Sequence, residues 1–342
     1  MRWTHRPDGS NWGDFGPDDQ LGRLNLITPE KVRQGVAEVH DGRSFCLSLP
    51  LDYPGGAGLN PRRHPPVLRP TMRGQSANFN VAVPDAPDVI CDDLALLHLQ
   101  YSTQWDSFAH VGQRFDADGD GIAEHVFYNG WRGGEDVVGP TSVADAGPGV
   151  TSTSAAKRLG IENFAVHGIQ GRAVLVDLLA HFGPARRLIT GADLALVLAA
   201  DGVSVEAGDM LCLHTGFAQA LLDAAKNPSD DLLHNQYAVL DGRCPDLQGF
   251  LRDSGVSALI ADNYAVEAYP ARPCDTAGHD CSILPLHELC LFKLGIPLGE
   301  LWHLTPLAQY LRGQNRSRFF LTAPPLRLPG AVGSPVTPIA TV

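Results

Sequence analysis

Apolar and polar positions along the chain change period several times, and each change marks an element. Ala173-Val174-Leu175-Val176 is an unbroken apolar run of strand length, as expected of a buried strand. Met210 to His214 and Val256 to Asp262 read as further strands, and Phe319 to Leu326 as a buried strand with a proline-bearing exit. Between them, Thr190 to about Ala200, Phe217 to Ala225 and Leu286 to Lys293 read as helices. Nearer the start, Thr28 is placed to cap a helix that opens with Pro29 and runs toward Val39, and a strand is predicted over Ser44–Leu49. Strands interleaved with helices argue for an α/β core. No internal repeat, low-complexity tract or linker divides the chain, so residues 1–342 are read as one domain with long excursions. The first of these is an irregular arm over residues 1–30. The second is a Pro/Gly/Arg-rich loop over residues 52–75, of a length more often found in a lid or an interface arm than in an idle connection.

The most informative stretch is Gln100 to His110, read as a strand running into a loop. Successive strand side chains point to opposite faces. His98, Gln100, Ser102, Gln104 and Asp106 would share one face, and Leu99, Tyr101, Thr103 and Trp105 the other. Five polar groups on one face of a buried element are costly without partners such as water, a ligand or a metal. The pattern therefore predicts a site.

These residues resemble the cyclase family of metal-dependent hydrolases that includes bacterial kynurenine formamidases and isatin hydrolases. The family carries His-x-Gly-Thr-His-x-Asp-x-Pro-x-His, in which the first two His and the Asp bind metal and the last His is a general acid/base. This chain keeps Thr103, Asp106 and His110 and departs at Gln100, Ser102, Gln104 and Phe108. That places it with a longer branch carrying Thr-Gln-Trp-Asp. The resemblance spans nearly the whole chain. It takes in Trp12-Gly13, Asp18 to Gly22 and Leu24 to Pro29, then Phe127 to Gly130, Gly168 to Arg172, Gly208-Asp209 and His214 to Phe217. It ends with His287-Glu288, Gly295 to Glu300 and Phe319 to Thr322. It implies the family's swivelling β/β/α fold.

By the same resemblance, Asp106, His287 and Glu300 would hold one divalent ion, zinc or manganese, with an open position for water. His110 would be the general acid/base, since an imidazole titrates near neutrality. Gln100 and Gln104 are open to two readings, as neutral oxygen ligands of the metal or as hydrogen-bonding groups for the substrate. His98 shares the strand face as a possible substitute ligand. Trp105, Phe108 and Tyr128 would form an apolar wall for a cyclic or aromatic substrate, or else pack in the core, and Glu267 is an acidic residue of the pocket or of a loop salt bridge. The implied reaction is hydrolysis of a C–N or C–O bond beside a carbonyl, in a cyclic amide, lactone or formamide. Two other readings stay open: a metal-free cyclase or dehydratase using His110 as base, and a non-catalytic binder of small molecules.

Composition adds bounds. The formal net charge of −12 argues against a nucleic-acid or anionic-membrane partner. No apolar run reaches membrane-spanning length and no segment reads as a signal peptide, so a cytoplasmic enzyme is expected. Self-association into a homo-oligomer is expected from the 52–75 loop. Seven scattered cysteines fit reduced thiols, with Cys274, His279 and Cys281 an incomplete zinc-like cluster. Asp116 to Gly121 imitates the start of a calcium loop, but Phe127 stands where a bidentate Glu is needed, so a solvated turn is the better reading.

Overall fold

The apolar runs of the second half form the middle of one nine-stranded sheet. The structure, a computed structural model, describes residues 2–147, 151–274 and 281–342. In chain order the strands are β1 (Ser44–Cys46), β2 (Gln104–Asp106), β3 (Gln170–Asp177), β4 (Met210–His214), β5 (Ala258–Ala261), β6 (Leu298–Glu300), β7 (Arg318–Thr322), β8 (Gly333–Pro335) and β9 (Ile339–Thr341). Their spatial order is β1-β9-β7-β3-β4-β5-β6-β2-β8. The central four, β3 to β6, run parallel, and antiparallel strands complete the sheet on both sides. Strands β4 and β5 are buried throughout, which explains why they read as continuous apolar runs rather than alternating ones. The sheet curls: beyond β1, Ser48 bridges Trp302, and the Leu49 N–H donates to Thr103 Oγ1 at 2.8 Å.

Helices flank the sheet. The first, α1 (Pro29–Val36), is capped by Thr28, whose Oγ1 accepts from the Lys31 N–H, and it ends before the expected Val39. Gly35 lets this helix close on β3, since a Cβ there would stand 2.7 Å from the Arg172 nitrogen. The helix over Gly191–Ala200 has a capping box between Thr190 and Asp193. Residues 2–21 carry no helix, yet Trp3 and Trp12 are buried in the main core.

The amino ends of the parallel strands are tied by charge. The fully buried Asp209 accepts from Arg172 at 2.8 and 3.0 Å and from Lys31 at 3.1 Å. A buried carboxylate so fully paired costs little in place and would be expensive to strip of its partners. The opposite, carboxyl ends of the strands carry the polar side chains discussed below. In open α/β sheets that end is where ligands bind.

Two sequence expectations are corrected here. Residues 52–66 form a loop, but from Val67 to Leu96 the chain builds a β-ribbon: Val67–Pro70 pairs with Asp93–Leu96, and two short hairpins, Met72–Arg73 with Ser76–Ala77 and Val81–Ala82 with Val89–Ile90, lie between those strands in the chain. Its short strands, interrupted by Pro70 and Gly74, hid it in the sequence. Cys274 and Cys281 are not reduced: they are joined as a disulfide, their Cα atoms 6.3 Å apart. His279, the third member of the zinc-like cluster, lies outside the described residues. The acidic turn at Asp116 sits between antiparallel strands rather than helices. Its Asp116 carboxylate accepts from the Gly119 and Gly121 N–H groups at 2.7 and 2.9 Å. No helix among the described residues is long and apolar enough to cross a membrane.

Candidate metal centre and cavity

The centre is built by strand register. Glu300, at the carboxyl end of β6, pairs with Gln104 of β2, and Leu298 pairs with Asp106. Opposed residues in a ladder share a face, so Glu300, Gln104 and Asp106 project to the same side. The Gln104 amide Nε2 donates to Asp106 Oδ1 at 3.3 Å and to Glu300 Oε2 at 3.2 Å, spanning the two carboxylates. On the other flank of β2, Asp106 pairs with Gly333. A Cβ at Gly333 would stand 2.5 Å from Gln100 Nε2, so only glycine leaves the Gln100 side chain its place.

His287 comes from a single helical turn, Pro285–His287, which widens into a π-helix over Glu288–Leu294. Its ring is held from behind. His287 Nδ1 lies 2.9 Å from Glu267 Oε1, and the same carboxylate accepts the N–H groups of Leu286 and His287 at 2.9 and 3.0 Å. Nε2 is thereby turned to Glu300 Oε1, 3.4 Å away. Asp106, His287 and Glu300 are buried, and each offers a ligand atom within 4.8 Å of the others.

The charge state reflects this crowding. Burial, then the adjacent Glu300 carboxylate, pushes Asp106 up to about 8. Burial works to lower His287, but its hydrogen bonds to Glu267 and Glu300 outweigh this and raise it to about 10. Glu300 stays below its ordinary range despite burial, because His287 bonds to it and carries opposite charge. Two buried oxygens, Asp106 Oδ2 and Gln104 Oε1, have no hydrogen-bond partner. Buried polar atoms are normally satisfied. Two acidic ligands, an imidazole with its outer nitrogen fixed by a carboxylate, and orphaned oxygens beside them together fit a divalent cation.

His110 stands at the edge of the cluster, Nε2 3.9 Å from Asp106 Oδ1 and Nδ1 3.5 Å from the Gln100 amide. Burial and the neighbouring His287 and Arg63 cations hold it well below the ordinary imidazole range. A cavity of about 480 Å³ opens above, lined at its foot by Gln100, His110, His287 and Glu300. Its walls are Tyr101, Val111, Tyr264, Leu284 and Leu301, and Arg62 and Arg63 from the 52–66 loop also face it.

The structure thus gathers Asp106, His287, Glu300, Gln104, Gln100 and His110 in one place. It does not bring in Trp105, Phe108 or Tyr128. Trp105 points to the other face of β2, as strand alternation requires, and its indole donates to the Ala323 carbonyl at 2.8 Å. Phe108 packs between Tyr128 and Phe164 in the core, each ring 5.0 Å away. The aromatic side chains of the cavity are tyrosines instead. His98 is also elsewhere, because the strand begins only at Gln104; its ring lies in the loop beside His64. Sequence reasoning missed Arg63 and Gly333, and it saw Glu267 without its partner.

The family model described as "Putative cyclase" matches residues 47–268. Among solved structures, one of a novel cyclase is 30% identical, with a TM-score of 0.75, covering 97% of this chain and 99% of that chain. Isatin hydrolase A from Ralstonia solanacearum is 15% identical with a TM-score of 0.55, covering 87% of this chain and 91% of that one. Isatin hydrolase A from Labrenzia aggregata is 14% identical with a TM-score of 0.55, covering 91% and 98%. At those identities the likeness is one of fold. Comparison with curated proteins finds no match. The match over residues 47–268 and the likeness to the novel cyclase along almost the full chain agree: the chain belongs to the cyclase family and, with it, is an enzyme.

Proposed function

We propose that the chain is a metal-dependent hydrolase that cleaves a C–N or C–O bond beside a carbonyl, in a cyclic amide, lactone or formamide. The observation that carries this reading is the convergence of Asp106, His287 and Glu300 within 4.8 Å at the foot of a cavity that His110 also faces. Asp106, His287 and Glu300 would hold one zinc or manganese ion, which would supply Lewis-acid polarisation of the carbonyl and a more acidic water. The rest falls to the protein. Glu267 orients His287, with Nδ1 engaged and Nε2 toward the cluster. Gln104 ties the Asp106 and Glu300 side chains to each other, fixing their spacing. His110, neutral at physiological pH, takes a proton from the attacking water at Nε2 and returns it to the leaving nitrogen or oxygen. Gln100 steadies the ring from Nδ1, and its amide has both a donor and an acceptor to offer there.

A panel of lactones, cyclic amides and formanilides tests the reading. Turnover of at least one is expected, lost after exhaustive chelation and restored by manganese or zinc. Turnover that survives chelation would instead favour the metal-free cyclase or dehydratase, with His110 as base.

We also propose that the enzyme is a homodimer joined through the ribbon of residues 67–96. By the register, Val67, Leu94 and Leu96 share one face, and all three are exposed. Leu68, Met72, Phe79, Val89 and Ile90 are exposed as well. Exposed apolar side chains concentrated in one segment mark an interaction surface. Short isolated hairpins are also marginal in water. Light scattering is expected to give a dimer, and the double variant Leu94→Glu, Leu96→Glu a folded monomer. A monomeric parent protein at tens of micromolar would refute the arrangement.

A further inference from the structure

Arg62 and Arg63 face the cavity, and among the described residues neither forms an ion pair within 4.0 Å of a carboxylate. Arg63 is half-buried. It spends one nitrogen, Nη1, on the Gln100 carbonyl at 2.7 Å, and the other donors of its fork have no such bond. The carboxylates whose charge reaches Arg63 are Asp106 and Glu300, the ones the ion would take; with the ion bound, a half-buried cation without a counter-charge is costly, and the usual remedy is an anion that arrives with the ligand.

The charge balance agrees. With a divalent ion neutralising Asp106 and Glu300 and His287 bound to it as a neutral ring, Glu267 keeps its charge behind that ring, and the two arginines leave the site about one positive charge in surplus. In a chain of net charge −12, a local pair of cations is what draws an anion in. The rest of the cavity lining is largely apolar or phenolic, with Val111, Leu284 and Leu301 beside Tyr101 and Tyr264.

We infer that Arg63, with Arg62 beside it, is a carboxylate-binding subsite, so that the substrate is an anionic amide, lactone or formamide. This rests on the hydrolase reading of the same cavity. Arg63 is placed to take the carboxylate through two parallel N–H donors, a geometry that lysine cannot reproduce.

Benzoate and its neutral isostere benzamide are the probes, titrated calorimetrically into both chelated and manganese-loaded protein. Benzoate is expected to bind roughly ten- to hundredfold more tightly than benzamide. The preference should be present without metal and abolished in Arg63→Met. Arg63→Lys, which keeps the charge but not the two-pronged fork, should retain only part of it, and this second variant decides the question if Arg63→Met fails to fold. Equal binding of the two probes by the parent protein, or a preference unchanged in Arg63→Met or Arg63→Lys, would overturn the subsite. A preference that follows Arg63 in a protein that binds no metal would uphold the subsite and remove the hydrolase reading.

Discussion

His110→Ala is expected to lower turnover by roughly 10²–10⁴-fold, the range for loss of a general acid/base. Metal content and melting temperature should be unchanged. The expectation follows from placement: His110 faces the cavity with Nε2 at 3.9 Å from Asp106 Oδ1, outside the trio of buried ligand atoms. Among the described residues its ring has one long hydrogen bond, to Gln100, so truncation leaves little else unpaired. The loss should fall on kcat more than on KM, because proton transfer belongs to the transition state. A variant that loses metal in parallel with activity would reassign His110 to the ligand set. One that keeps full turnover would remove it from the chemistry.

Glu267→Gln is expected to weaken metal binding by about 10–100-fold, as measured for partners that orient a ligating histidine. Glu267 touches neither the cavity nor the proposed ion. It acts through the His287 ring and through the two N–H groups that open that helical turn. Glutamine keeps the shape and one acceptor oxygen while removing the charge that stabilises the ring. The shift should appear in competition against a chromophoric chelator. It should be accompanied by a lowered melting temperature, because a buried N–H loses its best acceptor. Unchanged affinity in a folded variant would make Glu267 a helix-capping residue only.

How much of this was legible in the sequence depends on the kind of signal each residue gives. The buried central strands announced themselves, since apolar runs such as Val174 to Val176 need no partner to be recognised. Period-two alternation put Gln104 and Asp106 on one face and already placed Trp105 on the other, although Trp105 was expected at the pocket. The meeting of Asp106 with His287 and Glu300 rested on family resemblance. Nothing local tells residue 104 that its neighbour across the ladder is residue 300. Glu267 was visible only as an acidic residue in a loop. Arg63 was hidden by a Pro/Gly/Arg-rich segment that has no period, and Gly333 by the fact that a close approach is a property of two distant chain segments.

Elemental analysis of the parent protein, purified without chelator and compared with His287→Ala, tests the central claim most directly. About one equivalent of zinc or manganese per chain in the parent, lost in the variant, is the predicted result. No metal in the parent, even after incubation with both ions, would contradict the account and leave His110 to act without a metal centre.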